Sequence, residues 1–186
     1  MMTQKLSIEK TKEKKAKQLA IENPMRSFRI EKIILSAGAV DKELEKAVKL
    51  LNLLSGMKSQ IVASSKRIPD FGVRPGLEVG TRVTLRGEKA IDLLKRLLGA
   101  IDNELSEKQI SDNHFSFGVK EYIEIPGMEY QRDIGIRGLN VTVVFSRSGL
   151  RVKRKKIKPG AIPKRHYVKK EEIIKYMEDN FKTKIK

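Results

Sequence analysis

At 186 residues the chain is long enough for one domain with a core of its own plus extensions. Lys and Arg number 40 against 23 Asp and Glu, giving a net charge of +17, so the chain repels itself unless it meets a polyanion; nucleic acid is the first partner this implies, an anionic membrane surface the second. No run is apolar over the roughly 18 residues of a membrane span, the amino terminus lacks a signal-peptide core, and zero cysteines exclude disulfides and thiolate metal sites, so a cytoplasmic polyanion binder is expected.

Residues 1–22 are polar and Lys-rich with only scattered apolar points, which predicts a basic arm that orders on a partner. Asn23-Pro24 is a turn signal and marks the start of a domain expected over 23–150. Phe28 to Ala39 reads as a strand, and the consecutive Ile33, Ile34 and Leu35 make it central. Asp41 is placed to cap a helix carrying Leu44, Ala47, Val48, Leu51 and Leu54 on one side, with Gly56 as its stop.

Gln60–Ser64 and Thr81–Arg86 read as an antiparallel pair with Val83 and Leu85 on one face and Arg82, Thr84 and Arg86 on the other. Between them runs a loop, 66–80, too rich in Pro and Gly for helix. Loops of this length usually have a job. Lys66, Arg67 and Arg74 surround the single aromatic Phe71. That is either a cationic finger with a stacking ring for folded RNA or a solvated hairpin tip with Phe71 folded back on its own domain.

A second amphipathic helix follows Gly87-Glu88, with Ile91, Leu94, Leu98 and Ile101 on one side and Leu93 and Leu97 widening the stripe, and a polar connector then leads to Phe115. Phe115, Phe117, Val119, Glu121, Ile123 and Ile125 alternate as one face of a strand ended by Pro126-Gly127. Leu139, Val141, Val143 and Phe145 form one face of a fifth strand. The order predicts an α+β fold: a largely antiparallel five-stranded sheet with helices on one face, its other face free, and basic extensions at both ends.

From Ile134 to Lys170 there is no acid, while the interval holds 12 Lys and Arg. Its middle, from Arg151, has two prolines and no period, so it is expected to be extended and ordered by RNA. Residues 151–186 thus form a basic extension, closed by a short helix over Glu171–Phe181 with Ile173, Ile174, Met177 and Phe181 to dock.

No catalytic set emerges. His114 beside Asp112 could be an acid–base pair but fits a solvated turn better, and His166 sits among cations as a further RNA-facing donor. No phosphate-binding glycine loop occurs, and Gly135-Ile-Arg-Gly138 reads as a turn. No enzyme, cofactor, metal or small-molecule substrate is expected, and the basic tail lacks the apolar face a membrane binder needs.

Several segments then stand together in a telling order: R-I-E-K-I-I-L-S-A-G-A, S-G-M-K-S, F-G-V-R-P-G-L-E-V-G-T-R-V-T-L-R-G-E-K and F-S-F-G-V-K-E-Y-I-E-I-P-G-M-E-Y. Over residues 23–150 they resemble the L5 family of large-subunit ribosomal proteins, and the I-P-K-R-H stretch is similar to its archaeal and eukaryotic branch. The resemblance implies a structural protein of the central protuberance that fastens 5S rRNA to the large subunit. It would touch 23S rRNA, and lie near the P-site tRNA, the small-subunit head and neighbouring ribosomal proteins. By position it implies rRNA contacts at Arg29, Lys32, Ser36, Met57, Lys58, Thr84 and Arg86, and a P-site tRNA contact in the loop through Lys66, Arg67, Phe71 and Arg74. Arg151, Lys153, Arg154, Lys155, Lys156, Lys164 and Arg165 extend the expected rRNA surface. A non-ribosomal RNA chaperone is the alternative that composition alone leaves open. Ser36 stands where the family commonly has Asn, and Met57 where it has Gln, which weakens polar contacts there; packing at a helix end is the simpler role for Met57.

Overall fold

The computed structural model describes residues 25–186, so the basic arm expected over 1–22 lies outside the described residues. The elements are β1 (Phe28–Gly38), α1 (Lys42–Ser55), β2 (Gln60–Ala63), β3 (Glu78–Leu85), α2 (Glu88–Gly99), β4 (Glu104–Leu105), β5 (Ile110–Ser111), β6 (His114–Val119), β7 (Leu139–Arg147), α3 (Arg151–Arg154), α4 (Lys170–Phe181) and β8 (Lys184–Ile185). They form the expected α+β fold. Six strands run in the order β2-β3-β1-β7-β6-β5, and β4 pairs with β8 in a separate parallel ribbon.

Two compact units emerge. One holds Ile30–Val144 with Lys169–Lys186; the other, as described, holds Met25–Arg29 with Phe145–Val168. In the larger unit β1 is central, as its three consecutive apolar residues require. Burial alternates along the strands because successive side chains point to opposite faces. Ile33, Leu35 and Ala37 of β1, Thr81, Val83 and Leu85 of β3, Phe115, Phe117 and Val119 of β6, and Leu139, Val141 and Val143 of β7 are all buried. α1 packs on β3 from this side, burying Leu44, Ala47, Leu50, Leu51 and Leu54.

Several expectations need correction. The sheet has six strands because Asn113, at φ 66°, turns Ile110 and Ser111 back against Phe115 and His114 inside the supposed connector. The fourth predicted strand stops at Val119 rather than Ile125. Val119↔Leu139 is the last rung of its ladder, and beyond it Tyr122–Glu124 forms a 3-10 turn that sends Tyr122 and Ile125 inward and Ile123 outward. Asp41, at φ 53°, makes no side-chain cap to α1, whereas Gly56 ends that helix in the left-handed region with its N–H on the Asn52 carbonyl at 2.9 Å. The buried stripe of α2 is Ala90, Leu93, Leu94, Leu97 and Leu98, so the expected Leu residues are inside while Ile91 and Ile101 at its margin are half-buried. The segment from Arg151 opens with a helical turn, α3, and carries a 3-10 turn at Lys164–His166; only the remainder is irregular.

Where β6 ends, Gly138 lies so close that a Cβ would meet the Lys120 carbonyl oxygen at 2.7 Å and that of Val119 at 2.8 Å. Backbone cannot retreat as a flexible side chain can, so Gly138→Ala is expected to cost roughly 1–3 kcal/mol in a denaturant melt.

The chain end is tied down by β8. Lys184 N–H donates to the Asn103 carbonyl, Lys186 N–H to that of Leu105, and Glu107 N–H to that of Lys186. Lys186 also meets Glu104 at 2.6 Å, and Lys170 of α4 meets Glu107 at 2.8 Å. A hydrogen bond from each lysine, then its charge, holds both carboxyls below the ordinary value of 4.5. A lowered folded-state pKa means these links are present above the ordinary carboxylate range and lost as the pH falls through the folded value. Amide exchange at Lys184 and Lys186 is therefore expected to accelerate in acid beyond its intrinsic rate while β1 stays protected.

Candidate nucleic-acid interface

The other face of the sheet is built from the alternate residues. Register places Ser36 beside Arg82, Ile34 beside Thr84 and Gln60 beside Arg82. On the β6–β7 side it pairs His114 with Val144, Ser116 with Thr142, and Gly118 with Asn140. All of these are exposed or half-buried, and none is a carboxylate. The face is mostly polar, with Ile34 and Val144 as apolar members, and Arg82 is held across it by its Nε–H donating to Gln60 Oε1 at 3.2 Å.

Toward the ends of β1, β6 and β7 the face dips into a depression of about 380 Å³. Ser36, Asn140 and Lys120 supply its polar side chains, and Gly38, Gly118 and Gly138 keep its floor low. At Gly118 a Cβ would come within 3.3 Å of Asn140 Oδ1, so the glycine leaves that amide its place. Asn140 and Lys120 were not anticipated as site residues; the alternation of β7 already put Asn140 opposite the apolar face, and that signal could have found it.

Of the residues expected to contact rRNA, Lys32, Ser36 and Thr84 fall on this face, half-buried, with Arg86 exposed just past β3. Lys58 is exposed two residues before Gln60, the register partner of Arg82. Met57, just past the Gly56 stop of α1, is 49% exposed. Arg29 and the cluster of Arg151, Lys153, Arg154, Lys155, Lys156, Lys164 and Arg165 belong to the smaller unit and are exposed. His166 is half-buried, its Nε2 2.9 Å from the Ser148 carbonyl oxygen, so it is not simply an outward donor. His114 Nδ1 lies 3.1 Å from the backbone carbonyl of Asp112 rather than its carboxylate, as in a polar turn.

The loop is a closed structure. Ile68 and Val73 exchange two backbone hydrogen bonds of 2.9 and 3.0 Å, Pro69–Phe71 make a 3-10 turn, and Gly72 reverses the chain at φ 64°. Val73 is buried and anchors the base, while Phe71 is 76% exposed. The alternative in which the ring folds back on its domain is thereby overturned. Lys66, Arg67 and Arg74 are exposed around it.

Among the described residues no group of His, Cys, Asp and Glu could hold a metal ion, and no helix is long and apolar enough to cross a membrane.

Comparison with known proteins gives this architecture a context. The family model for the C-terminus of the ribosomal L5 protein family matches residues 78–176. The chain is 42% identical over 168 residues to the large ribosomal subunit protein uL5 of Nanoarchaeum equitans, spanning 89% of this chain and 99% of that protein. It is 40% identical over 164 residues to the protein of the same name from Archaeoglobus fulgidus, covering 87% of this chain and 92% of the relative. With the uL5 of Sulfurisphaera tokodaii it shares 38% over 167 residues, covering 88% and 94%. The fold and these likenesses define a structural protein of the large ribosomal subunit, not an enzyme. The chain belongs to the ribosomal L5 protein family, and these relatives are archaeal.

Proposed function

We propose that the chain works in the cytoplasm as part of the ribosome, fastening 5S rRNA to 23S rRNA in the central protuberance. The open polar face of the sheet carries this reading. A sheet whose other side buries its own apolar stripe has no internal use for a second side of Ser, Thr, Asn, Gln and Arg. Such a surface suits the phosphates and 2′-hydroxyls of folded RNA, which are recognised by shape and hydrogen bonding. In this reading Lys32, Ser36, Lys58, Thr84 and Arg86 meet 5S rRNA, with Asn140 and Lys120 beside them, while Arg29 and the cations from Arg151 to Arg165 reach further rRNA. Residues 1–22 and 151–168 act as basic extensions in this reading, while Lys169–Lys186 belongs to the larger unit. Incubated with total RNA from its source in moderate salt, the purified chain is expected to retain 5S rRNA. Retention of bulk RNA without enrichment would contradict the proposal.

The finger projecting Phe71 is the contact to P-site tRNA in this reading, among neighbouring proteins of the protuberance and the small-subunit head. The double variant Phe71→Ala with Arg74→Ala removes one stacking ring and one cation, about 1–3 kcal/mol from the ring alone. Occupancy of the P site by tRNA on reconstituted ribosomes is expected to fall, with 5S rRNA affinity within about twofold of the parent's. Equal loss of both would show that the finger is not a separate site.

A further inference from the structure

The smaller unit contains a pocket of about 320 Å³ lined by Met25, Arg26, Arg147, Pro163, Arg165 and His166. Its lining holds three guanidinium groups and an imidazole, and no acid. The residues come from three separate parts of the chain: the turn before β1, the last residue of β7, and the segment ending in the 3-10 turn Lys164–His166. Arg165 and His166 lie far along the chain from Arg26, and Met25 from Gly149, so only the fold brings these together.

The pocket is built rather than incidental. The ring of His166 is fixed on the Ser148 carbonyl at 2.9 Å, and its backbone N–H donates to the Pro163 carbonyl at 2.9 Å. Gly149, at φ 96°, makes room for Met25, whose terminal methyl would lie 2.9 Å from any Cβ placed there. Arg147 is half-buried while Arg26 and Arg165 are exposed, so a firm cationic wall is flanked by two freer ones. Arg26 and Arg165 bring two exposed positive charges to one concavity, an arrangement that an anion between them relieves. Guanidinium forks match a phosphate's oxygens two at a time, and they shed water more readily than ammonium groups. At roughly ten water volumes the pocket has room for a phosphate with part of its hydration shell.

We propose that this pocket holds a single phosphate group, with Arg26 and Arg165 closing on it and His166 and Arg147 shaping its wall, and that the phosphate is a phosphodiester of an rRNA backbone. The site is distinct from the open sheet face. Only the assignment of the phosphate to rRNA rests on the function proposed above. Unlike the lysines of the tail, which neutralise phosphates wherever they lie, this pocket fixes one phosphate in position.

The test uses the full chain and two probes. First, inorganic phosphate is titrated at constant ionic strength while arginine Nε–H and histidine ring resonances are followed by NMR. Saturable shifts are expected at Arg26, Arg165 and His166, with sodium chloride producing none. Arg165→Ala is expected to weaken the phosphate dissociation constant at least about fivefold, and Lys95→Ala, at an exposed position of α2, to leave it unchanged. Shifts spread evenly over the exposed arginines, or equal effects of the two variants, would overturn the pocket. Second, rRNA binding is measured against salt. Arg165→Lys keeps the charge and loses the fork, and is expected to lower affinity at unchanged slope, whereas Arg165→Ala lowers the slope by about 0.7–0.9. A pocket that binds inorganic phosphate while neither variant alters rRNA binding would overturn the rRNA source alone. Loss of 5S rRNA selectivity with the phosphate shifts intact would count against the open-face reading and not against the pocket.

Discussion

Placing carboxylates on the open face, Ser36→Glu with Thr84→Glu, is expected to weaken 5S rRNA binding at least about a hundredfold, or about 2.7 kcal/mol. Both positions lie on the uncovered side of adjacent strands: register sets Thr84 opposite Ile34 and Ser36 opposite Arg82, and each side chain is half-buried with no carboxylate among its neighbours on that face. Two new negative charges would sit against RNA phosphates, and Arg82 would turn to them instead of the ligand. Thermal stability should move little, since an exposed strand position feels substitution only through its cross-strand neighbours, a matter of tenths to about 1 kcal/mol. The matched control is Val83→Glu, one residue away on the buried face, where an unpaired carboxylate faces the core and the fold itself is expected to fail. Filter binding with a thermal melt on each variant separates the two cases. A double variant that melts normally and binds normally would remove the open face from the interface.

The second large effect concerns the tail. Lys153→Gln, Lys155→Gln and Lys156→Gln together are expected to flatten the dependence of log affinity for rRNA on log salt by about 2–3, at about 0.7–0.9 for each phosphate released. Incorporation into large subunits should fall further than affinity for isolated 5S rRNA, which the proposed function assigns to the sheet. All three lysines are exposed in the smaller unit, so neutralising them removes charge without packing. Truncation at Leu150 would be a poorer test, because α4 carries Ile173 and Met177, both fully buried, and β8 ties the chain end to β4. The salt series of the triple variant checks the claim directly, and an unchanged slope would show that the tail meets no phosphate.

How much of this was legible beforehand depended on periodicity. The period of 2 in Thr81–Arg86 and in Leu139–Phe145 gave both the buried face and the open one, because burial on one side leaves no other solution for a strand. Phe115 to Ile125 misled for the same reason: its alternation continues beyond Val119, but the partner strand ends at Leu139, and without a ladder the backbone turned. Ile110 and Ser111 are too short to show a period, and only the left-handed Asn113 between them and Phe115 marks their hairpin. Composition could announce a cationic finger at 66–80, yet its stiffness comes from the Ile68–Val73 pairing, a contact with no composition of its own. For the same reason Asn140, Lys120 and Ser36 shared no sequence signal; three strands had to close before they lined one depression.

The most direct measurement is a map of side-chain NMR perturbations on the full chain as 5S rRNA is added at low and then moderate salt. Shifts are predicted at Lys32, Ser36, Arg82, Thr84, Ser116, Asn140 and Thr142, with the exposed side of α1 silent. Perturbation of α1 with those seven residues unmoved, or no interaction with 5S rRNA even at low salt, would contradict the account.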